Sequence, residues 1–488
     1  MYWIELFVLC HFILTVAIAL RVIYARRSSS AALAWLAVLF AFPYFGVLLY
    51  LLIGEPKLGR ARAKRRAELL AFHDAFADRF LPPQALPPED IRFRQIARLV
   101  QADTRFDTTT GNDTRLLADT DAILQSFIAD IDAAQHCCLL EFYIVEGSGR
   151  VAGVLEALMR AAARGVRCQL LVDALGSQNF WRSAWPGKLR AAGVEVTEAL
   201  PFGLIRALWV RSDLRNHRKI LIVDNLIAYT GSFNLVDPRY FKQGAGVGEW
   251  VDVMMRCRGT VVLEMAAVFY ADVAVEADEH LAEVRQEIEK LDDKIPELLA
   301  LKRQSGTAVA QVIPSAPDQS DPVIYETIVC AIHAAKTRVT ITTPYFVPDE
   351  LLLTALTTAA KRGVDVVLIL PEKVDSFLVR WASRAYYPKL LTAGVKIALF
   401  HGGLLHAKTL VVDGDYALFG TVNMDMRSFF LNLEISLAIY DAPVVREIAR
   451  IQKTYLRDSR YISVKRWQKR EKIWGLVENT VRLFSPLL

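Results

Sequence analysis

The feature that most constrains the fold of this chain is an internal repeat built around one short pattern. The pattern is H-x-K-x4-D, and it occurs at residues 217–224 and again at 406–413. In both copies a Gly follows seven residues after the Asp, and an Asn follows three residues after that Gly. These trailing residues are Gly231 with Asn234 and Gly420 with Asn423. Two matches with the same trailing residues indicate two copies of one folding unit.

The sequence around each motif repeats as well. Arg-Gly-Val ends a helix-like segment at 164–166 and at 362–364, and Ala-Gly-Val does so at 192–194 and 393–395. Gly followed by an apolar run is typical of a helix C-cap that leads into a strand. Beyond about residue 90, short apolar runs alternate with helical patterns. We therefore predict an α/β fold of two tandem α-β-α sandwich domains related by pseudo-twofold symmetry.

The repeat also sets the predicted domain boundaries. Domain 1 is predicted at 95–275 and domain 2 at 318–460, with a linker at 276–317 that ends in a loop-like stretch. A tail at 461–488 mixes basic and aromatic residues. This composition favours an interfacial helix, with packing against domain 2 as the alternative.

The N-terminal residues favour a membrane anchor at 1–56. Two apolar runs, at about 3–23 and 31–53, each have about the length that a helix needs to cross a bilayer. Pro43 should interrupt the second run. A basic connector at 57–94 brings six Lys or Arg residues soon after the second run, against three in the short loop between the runs. This asymmetry predicts a chain that crosses the membrane twice and whose large domain lies in the cytoplasm.

Charge and cysteine content argue against other classes. The net charge is only +5, and the basic residues form no extended stripe suited to a phosphate backbone, so we expect no nucleic-acid partner. The six cysteines show no metal-ligand spacing. We therefore expect neither a metal nor a cofactor.

The two motifs supply the groups that metal-free phosphodiester chemistry needs. His and Lys two residues apart on a strand point the same way, so each pair can grip one phosphate. Two-step transfer needs one His to attack phosphorus and another to protonate the leaving oxygen, so both must share one pocket. The predicted catalytic set is His217, Lys219, Asp224, His406, Lys408 and Asp413. Strand alternation turns each Asp away from the phosphate, which favours a structural role or action through a neighbouring group.

Further residues near the motifs are predicted to support the reaction. Asn234, Asn423 and Ser232 are candidates for binding the phosphate oxygens. A nucleophilic His needs its second ring nitrogen held, usually by a carboxylate. Glu249 and Glu434 occupy comparable places downstream of the motifs and are predicted to hold the histidines.

The motifs resemble those of the phospholipase D superfamily, whose signature is H-x-K-x4-D followed by G-x-x-N, and the resemblance covers nearly all of 95–460. The paired apolar runs, the segments 231–239 and 343–349 and the ending Ser-Pro-Leu-Leu narrow it to the bacterial cardiolipin synthases. This resemblance implies a phosphohistidine intermediate, no metal and one active site built from both halves. It implies condensation of two phosphatidylglycerols into cardiolipin and glycerol, with His217 as nucleophile and His406 as general acid/base. The near-symmetric sequence does not itself separate these roles.

Other functions use the same residues. A phospholipase D hydrolase would pass the intermediate to water, and a transphosphatidylase would pass it to another acceptor such as phosphatidylethanolamine. A nuclease would not need the apolar runs. An inactive scaffold that binds anionic lipid would need only the cations, so the intact histidines argue against it. The expected partners are phosphatidylglycerol and anionic membrane lipids.

Overall fold

The computed structural model describes residues 2–24, 29–55, 90–201, 213–276, 306–317 and 321–483, with single positions at 62, 64, 65, 68, 211, 282, 286, 319 and 485. Most of the predicted connector at 57–94, most of the predicted linker at 276–317 and residues 486–488 lie outside these ranges. The N-terminal helices form one compact unit, and both motif-bearing halves together form a second.

The described residues of the N-terminal unit form the helices Tyr2–Tyr24 (α1), Ser29–Ala41 (α2) and Pro43–Ile53 (α3). The second apolar run is thus broken before Pro43, where a proline ring is tolerated because it begins a helix. Glu55 accepts two hydrogen bonds from Arg21, both at 2.8 Å. Across the described residues, no helix is both long enough and apolar enough to cross a membrane. The two transmembrane helices stay a prediction.

The larger unit is built on one sheet of 16 strands, with two small two-stranded sheets beside it. The first half contributes Thr109–Leu117 (β1), Cys137–Phe142 (β2), Arg167–Asp173 (β3), Glu195–Ala199 (β4), Arg215–Asn216 (β5), Lys219–Val223 (β6), Ile227–Gly231 (β7), Trp250–Val251 (β8) and Met254–Arg258 (β9). The second half contributes Ala308–Ser315 (β10), Arg338–Thr342 (β11), Phe346–Val347 (β12), Asp365–Pro371 (β13), Lys396–Phe400 (β14), Leu404–Leu405 (β15), Thr409–Val412 (β16), Tyr416–Gly420 (β17), Met424–Asp425 (β18), Asn432–Ile439 (β19) and Ser459–Tyr461 (β20).

The strand order of the large sheet is the same in both halves. From one edge it runs β4-β3-β2-β6-β7-β9-β1 and continues as β10-β19-β17-β16-β11-β13-β14, with β20 at the far edge. The centre is the antiparallel pair of β1 and β10. Apart from β20, each strand of this order therefore has a counterpart at the mirrored position, as pseudo-twofold symmetry requires. The predicted α/β class and the tandem repeat are confirmed.

Helices cover both faces of the sheet, so side chains that alternate along a strand enter two different hydrophobic cores. On β13, Val367 and Ile369 join one core, while Val366, Leu368 and Leu370 join another. The first of these cores contains residues from both halves and so joins them. The helices are Ile91–Thr104 (α4), Thr120–Ala133 (α5), Val151–Ala163 (α6), Gln178–Arg182 (α7), Trp185–Ala191 (α8), Val261–Glu276 (α9), Val323–Ala334 (α10), Glu350–Lys361 (α11), Phe377–Ala393 (α12), Met426–Phe430 (α13), Ala442–Arg457 (α14), Val464–Gln468 (α15) and Lys472–Arg482 (α16).

The C-terminal tail packs against domain 2. Trp474 on α16 stacks on Trp381 of α12 with ring centroids 5.3 Å apart. Glu478 accepts hydrogen bonds from Arg384 at 3.0 Å and from Arg470 at 2.8 Å. The packing alternative is therefore the one that the structure supports for this helix.

The aspartates of the two motifs hold neighbouring strands in place. Asp224 accepts hydrogen bonds from three successive backbone N–H groups, those of residues 135–137, at 2.7 to 2.9 Å. Asp413 does the same with residues 336–338 at 2.8 to 2.9 Å and also pairs with Arg92. These bonds fix the starts of β2 and β11 beside the motif strands β6 and β16. The geometry supports the structural alternative for both aspartates, away from the histidines.

We expect Asp413→Ala to destabilise the domain by about 3 kcal/mol, because it leaves three backbone N–H groups without their acceptor and removes one of the two carboxylates that pair with Arg92. At about 2–4 °C per kcal/mol for large domains, thermal unfolding in detergent should shift down by roughly 6–12 °C. Asp415→Ala, at an exposed position in the same turn, is the matched control. Full loss of activity with an unchanged melting temperature would instead indicate a catalytic Asp.

Asp413 should also make the free energy of unfolding depend on pH in the acid range. Burial would raise the pKa of Asp413, but the backbone hydrogen bonds and Arg92 outweigh it and hold the pKa well below its usual range. The stabilisation is therefore complete above the unfolded pKa of about 3.9 and is lost as the pH falls below it. The Asp413→Ala variant should lack this component when unfolding is followed as a function of pH.

Candidate active site

The two motif histidines, one from each half, line a single cavity of about 910 Å³. Each is positioned by the opposite half. His217 follows β5, which pairs with β19, and its N–H donates to the carbonyl of Leu433 at 2.9 Å. His406 follows β15, which pairs with β8, and its N–H donates to the carbonyl of Val251 at 2.8 Å. A short strand before each histidine therefore pairs with a strand of the opposite half, and these two pairings bring both histidines into one pocket.

Each histidine also contacts a carboxylate from the opposite half. Nδ1 of His217 lies 2.9 Å from both carboxylate oxygens of Glu434. Nδ1 of His406 lies 2.7 Å from Oδ1 of Asp252. The contact of Glu434 is the one predicted, but Glu249 is exposed and the carboxylate on His406 is that of Asp252. The assignment of Glu249 was therefore wrong.

The strand register shows why Asp252 is the counterpart of Glu434. Gly231 pairs with Met254, and Gly420 pairs with Ser436, so each carboxylate stands two residues before the partner of the motif Gly. Along the chain the two intervals differ, because Glu434 follows Asn423 by 11 residues whereas Asp252 follows Asn234 by 18. The first half carries the longer connection. The sequence prediction chose Glu249 for its comparable place downstream of the motif, but Glu249 follows Asn234 by 15 residues and is not the counterpart of Glu434 in the strand register.

The carboxylates of Asp252 and Glu434 each accept a hydrogen bond from a hydroxyl group of their own half. Ser232 donates to Oδ1 of Asp252 at 2.6 Å, and Thr421 donates to Oε2 of Glu434 at 2.5 Å. Ser232 is fully buried and lies outside the cavity lining. The prediction that it binds the substrate phosphate is therefore replaced by a role in holding Asp252. The equivalent Thr421 follows Gly420 as Ser232 follows Gly231, a match that the sequence repeat already contained.

We expect Ser232→Ala and Thr421→Val each to lower kcat/KM about tenfold, because a hydrogen bond to a charged group contributes about 1.5–3 kcal/mol. The loss should appear in kcat, since the hydroxyls lie behind the carboxylates and away from the substrate. Steady-state assays at several lipid concentrations would separate kcat from KM. A change confined to KM would mean that the hydroxyls contact substrate.

The motif lysines are buried next to the histidines, outside the cavity lining, whereas the two asparagines face the cavity. Lys219 donates to the carbonyl of His217 at 2.7 Å, and Lys408 donates to the carbonyl of His406 at 2.6 Å. Asn234 and Asn423 line the cavity. Oδ1 of Asn234 accepts the N–H of Ile144 at 3.2 Å, which leaves its NH2 group as a donor for a ligand. These placements fit the predicted role of the two asparagines in binding phosphate oxygens, and they put the charges of the two lysines beside the histidines.

Burial sets the protonation states of the site. Desolvation, helped by the nearby lysines, lowers the pKa of His217 and of His406 to about 4, although the carboxylates oppose it. Burial likewise lowers the pKa of Lys219 to about 8 and that of Lys408 well below its usual range. Each neutral imidazole can donate Nδ1–H to its carboxylate, so Nε2 keeps its lone pair. That is the state a nucleophile or a general base requires.

Aromatic rings wall the two histidines. The ring of Tyr143 meets His217 edge-on at 5.0 Å, and the indole of Trp250 lies 4.3 Å from His406. Tyr345 also lines the cavity. Trp250, which sequence reasoning missed as a site residue, directly follows Glu249 in the chain.

In the described residues, no three His, Cys, Asp or Glu side chains are grouped so as to hold a metal ion.

Comparison with known proteins agrees with this geometry. The family described as "Cardiolipin synthase, PLD-like domain" matches residues 127–243 and 328–455, and "Phospholipase_D-nuclease N-terminal" matches 13–55. Cardiolipin synthase A of Erwinia tasmaniensis is 41% identical over 494 residues, spanning 99% of this chain and 98% of the relative. Cardiolipin synthase A of Escherichia coli O1:K1 / APEC is 40% identical over 492 residues, with the same coverage of both chains.

The fold also has a counterpart among solved structures. Phosphatidylserine synthase of Haemophilus influenzae Rd KW20 superposes with a TM-score of 0.57 at 14% identity, covering 80% of this chain and 97% of that one. At this identity the likeness concerns the fold alone. Sequence matches along nearly the whole chain carry the assignment, and the chain belongs to the cardiolipin synthase family of the phospholipase D superfamily.

Proposed function

We propose that this protein is a phosphatidyltransferase that moves a phosphatidyl group from one phosphatidylglycerol to another, giving cardiolipin and glycerol. The observation that carries the proposal is the pair of His–carboxylate contacts across one cavity, at 2.9 Å for His217 and 2.7 Å for His406. Two imidazoles with free Nε2 atoms fit a reaction that needs both a nucleophile and a proton carrier. Relatives named cardiolipin synthase A support the choice of phosphatidylglycerol.

In the first step, Nε2 of one histidine attacks phosphorus and the P–O bond to glycerol breaks. The resemblance to the superfamily assigns this attack to His217. Glycerol leaves as the neutral alcohol after it takes a proton from His406, and the phosphatidyl group is held on nitrogen. The bound phosphodiester brings a negative charge beside His406, which favours the protonated imidazole that this step requires. Lys219, Lys408, Asn234 and Asn423 surround the non-bridging oxygens and stabilise the charge of the transition state.

In the second step, His406 takes the proton from the terminal hydroxyl of a second phosphatidylglycerol. That oxygen attacks phosphorus, and the P–N bond to His217 breaks. Cardiolipin is released, His217 returns to the neutral imidazole, and His406 keeps the proton of the acceptor hydroxyl, which replaces the one it gave to glycerol in the first step. Asp224 and Asp413 take part only by holding the strands that carry the motifs.

We further propose that the N-terminal helices hold the enzyme in the inner membrane of a bacterium, with the catalytic unit on the cytoplasmic side. Several apolar side chains of α1 are more than half exposed, namely Leu6, Phe12, Leu20 and Ile23. Such a surface favours burial in lipid. The excess of basic residues after the second apolar run supports the orientation. Protease accessibility of a C-terminal epitope in sealed inverted vesicles would test it.

A product assay tests the proposed reaction. The full chain would be given phosphatidylglycerol alone in detergent–lipid mixed micelles with EDTA present, and products would be followed by mass spectrometry. Cardiolipin and free glycerol in equal amounts are expected. Phosphatidic acid without cardiolipin would mean that water is the acceptor. Product that forms only after phosphatidylethanolamine is added would keep the chemistry and replace the acceptor.

A further inference from the structure

Three side chains outside the motifs form a connected cluster in the cavity wall. Nζ of Lys242 lies 3.1 Å from Oδ2 of Asp375, and the hydroxyl of Tyr345 donates to Oδ1 of Asp375 at 2.6 Å. All three line the cavity. Lys242 comes from the first half, in the long connection between Asn234 and Asp252, whereas Asp375 and Tyr345 come from the second. The cluster therefore bridges the two halves at the pocket.

This cluster lies beside His406. The ammonium of Lys242 is 5.7 Å from the ring centroid of Trp250, and the His406 ring is 4.3 Å from the same centroid. These two distances limit the separation between the ammonium and the centre of the His406 ring to 10.0 Å. Phe241 packs edge-on against Trp250 at 5.1 Å and places Lys242 next to it. A ligand on Lys242 and Asp375 would thus lie next to the proton carrier.

The two charges of the pair differ in exposure. The side chain of Asp375 is only 5% exposed, whereas that of Lys242 is 48% exposed. Oδ1 of Asp375 accepts a hydrogen bond from Tyr345, and Oδ2 accepts one from Lys242. Each carboxylate oxygen can accept a second hydrogen bond. Lys242 can turn toward an incoming anion, since half of its surface faces open space. The pair thus offers an acceptor for hydroxyl groups and a cation for a phosphate, side by side.

The two halves do not share this feature. Asp375 lies four residues past the end of β13, and the residue four past the end of β3 is Ser177, whose hydroxyl donates to the backbone of Tyr143 at 2.9 Å. At this position of the repeat, a carboxylate is therefore present only in the second half. A reaction through one histidine intermediate needs such asymmetry, because the leaving and the entering alcohol must use the same side of phosphorus.

We infer that Asp375 and Lys242 form the subsite for the glycerophosphate part of the acceptor lipid. Asp375 accepts hydrogen bonds from the hydroxyls of glycerol, both when glycerol leaves and when a glycerol headgroup enters. Lys242 binds the phosphate that is attached to the entering glycerol. This inference rests on the proposed transfer between phosphatidylglycerols, and it makes the pair specificity residues for the acceptor.

Three acceptors separate these roles in one assay. The full enzyme in mixed micelles would transfer labelled phosphatidyl groups from a p-nitrophenyl phosphatidyl ester, which releases no glycerol, to phosphatidylglycerol, free glycerol and ethanol in competition, so that the product ratios report the second step alone. Lys242→Gln should lower transfer to phosphatidylglycerol about tenfold or more relative to glycerol, since only the former brings a phosphate. Asp375→Asn should lower transfer to both glycerol-bearing acceptors by a similar factor relative to ethanol. Arg160→Gln, on a distant surface helix where Arg160 pairs with Asp132, is the charge-matched control.

Two outcomes would overturn the inference. The first is a proportional loss for all three acceptors in both variants, which would mean that the pair only maintains the fold. The second is selective loss of cardiolipin formation in Arg427→Gln but not in Lys242→Gln. Arg427 and Arg215 also line the cavity, and Arg215 lies near His217 in the chain. This outcome would mean that the phosphate of the acceptor binds to these arginines and not to Lys242. Failure of the proposed function looks different, since the unaltered enzyme would then transfer nothing to phosphatidylglycerol.

Discussion

Alanine at either His217 or His406 is expected to lower cardiolipin formation by at least about 10⁴-fold, and the double variant should be little worse than each single one. The reason is that the two imidazoles act in one reaction sequence, so the loss of either stops turnover. Both variants should remain folded, because each replacement removes a side chain and leaves the anchoring backbone hydrogen bonds to Leu433 and Val251. Unfolding curves would check this before kinetics are compared.

A donor with a better leaving group distinguishes the two histidines. A p-nitrophenyl phosphatidyl ester needs no proton on its leaving oxygen, so the variant that lacks only the proton carrier should still release one equivalent of p-nitrophenolate. On the proposed assignment, His406→Ala gives this burst and gains the mass of a phosphatidyl group, while His217→Ala gives neither. The reverse pattern would exchange the roles. A burst in both variants would refute a histidine nucleophile.

The second large effect is expected for Asp252→Asn, with a loss of about 10²–10⁴-fold in kcat. The amide can donate its NH2 group to Nδ1 of His406, and the ring proton then sits on Nε2. Nε2 therefore no longer has the lone pair that must take the proton from the acceptor hydroxyl. The shape of the side chain is nearly unchanged, so the fold and the binding of lipid should be retained. Steady-state kinetics with phosphatidylglycerol, together with a melting curve, would measure both.

Glu249→Gln is the matched control for this prediction. It makes the same chemical change three residues away, at an exposed position. We expect activity within about twofold of the unaltered enzyme, since surface substitutions rarely change stability by more than about 0.5 kcal/mol. Equal losses in the two variants would contradict the assignment of Asp252 as the residue that orients His406.

The sequence was sufficient for the repeat and for the groups that carry the chemistry. Strand alternation correctly placed each motif Asp away from its Lys, and the need for two histidines predicted the shared cavity. The support residues were harder. Asp252 was missed because a Glu stood at a comparable place in the first half, and the connections of the two halves differ by seven residues, so that only the strand register shows which carboxylate is the counterpart. Ser232 was assigned to phosphate, because a sequence does not show which polar side chains face each other across strands.

The reciprocal strand pairs were also beyond sequence reasoning. β5 and β8 are two-residue strands, too short for periodicity to reveal them. Their partners lie in the other half, at separations set by the packing of the halves. The contact of Lys242 with Asp375 is of the same kind, because it joins two connecting segments with no repeated pattern. Local sequence signals predict elements, and these contacts depend on how the elements assemble.

The longer connection in the first half has a consequence for how such an enzyme could arise. Two identical single-domain subunits could supply two histidines and exchange their carboxylates, but every insertion would then appear on both sides of phosphorus. Fusion into one chain removes that restriction. Here the first half has the longer segment, which carries Lys242, and the second half has the shorter one. The two sides of the pocket can therefore differ in a single chain, whereas in a dimer of identical subunits they would be the same.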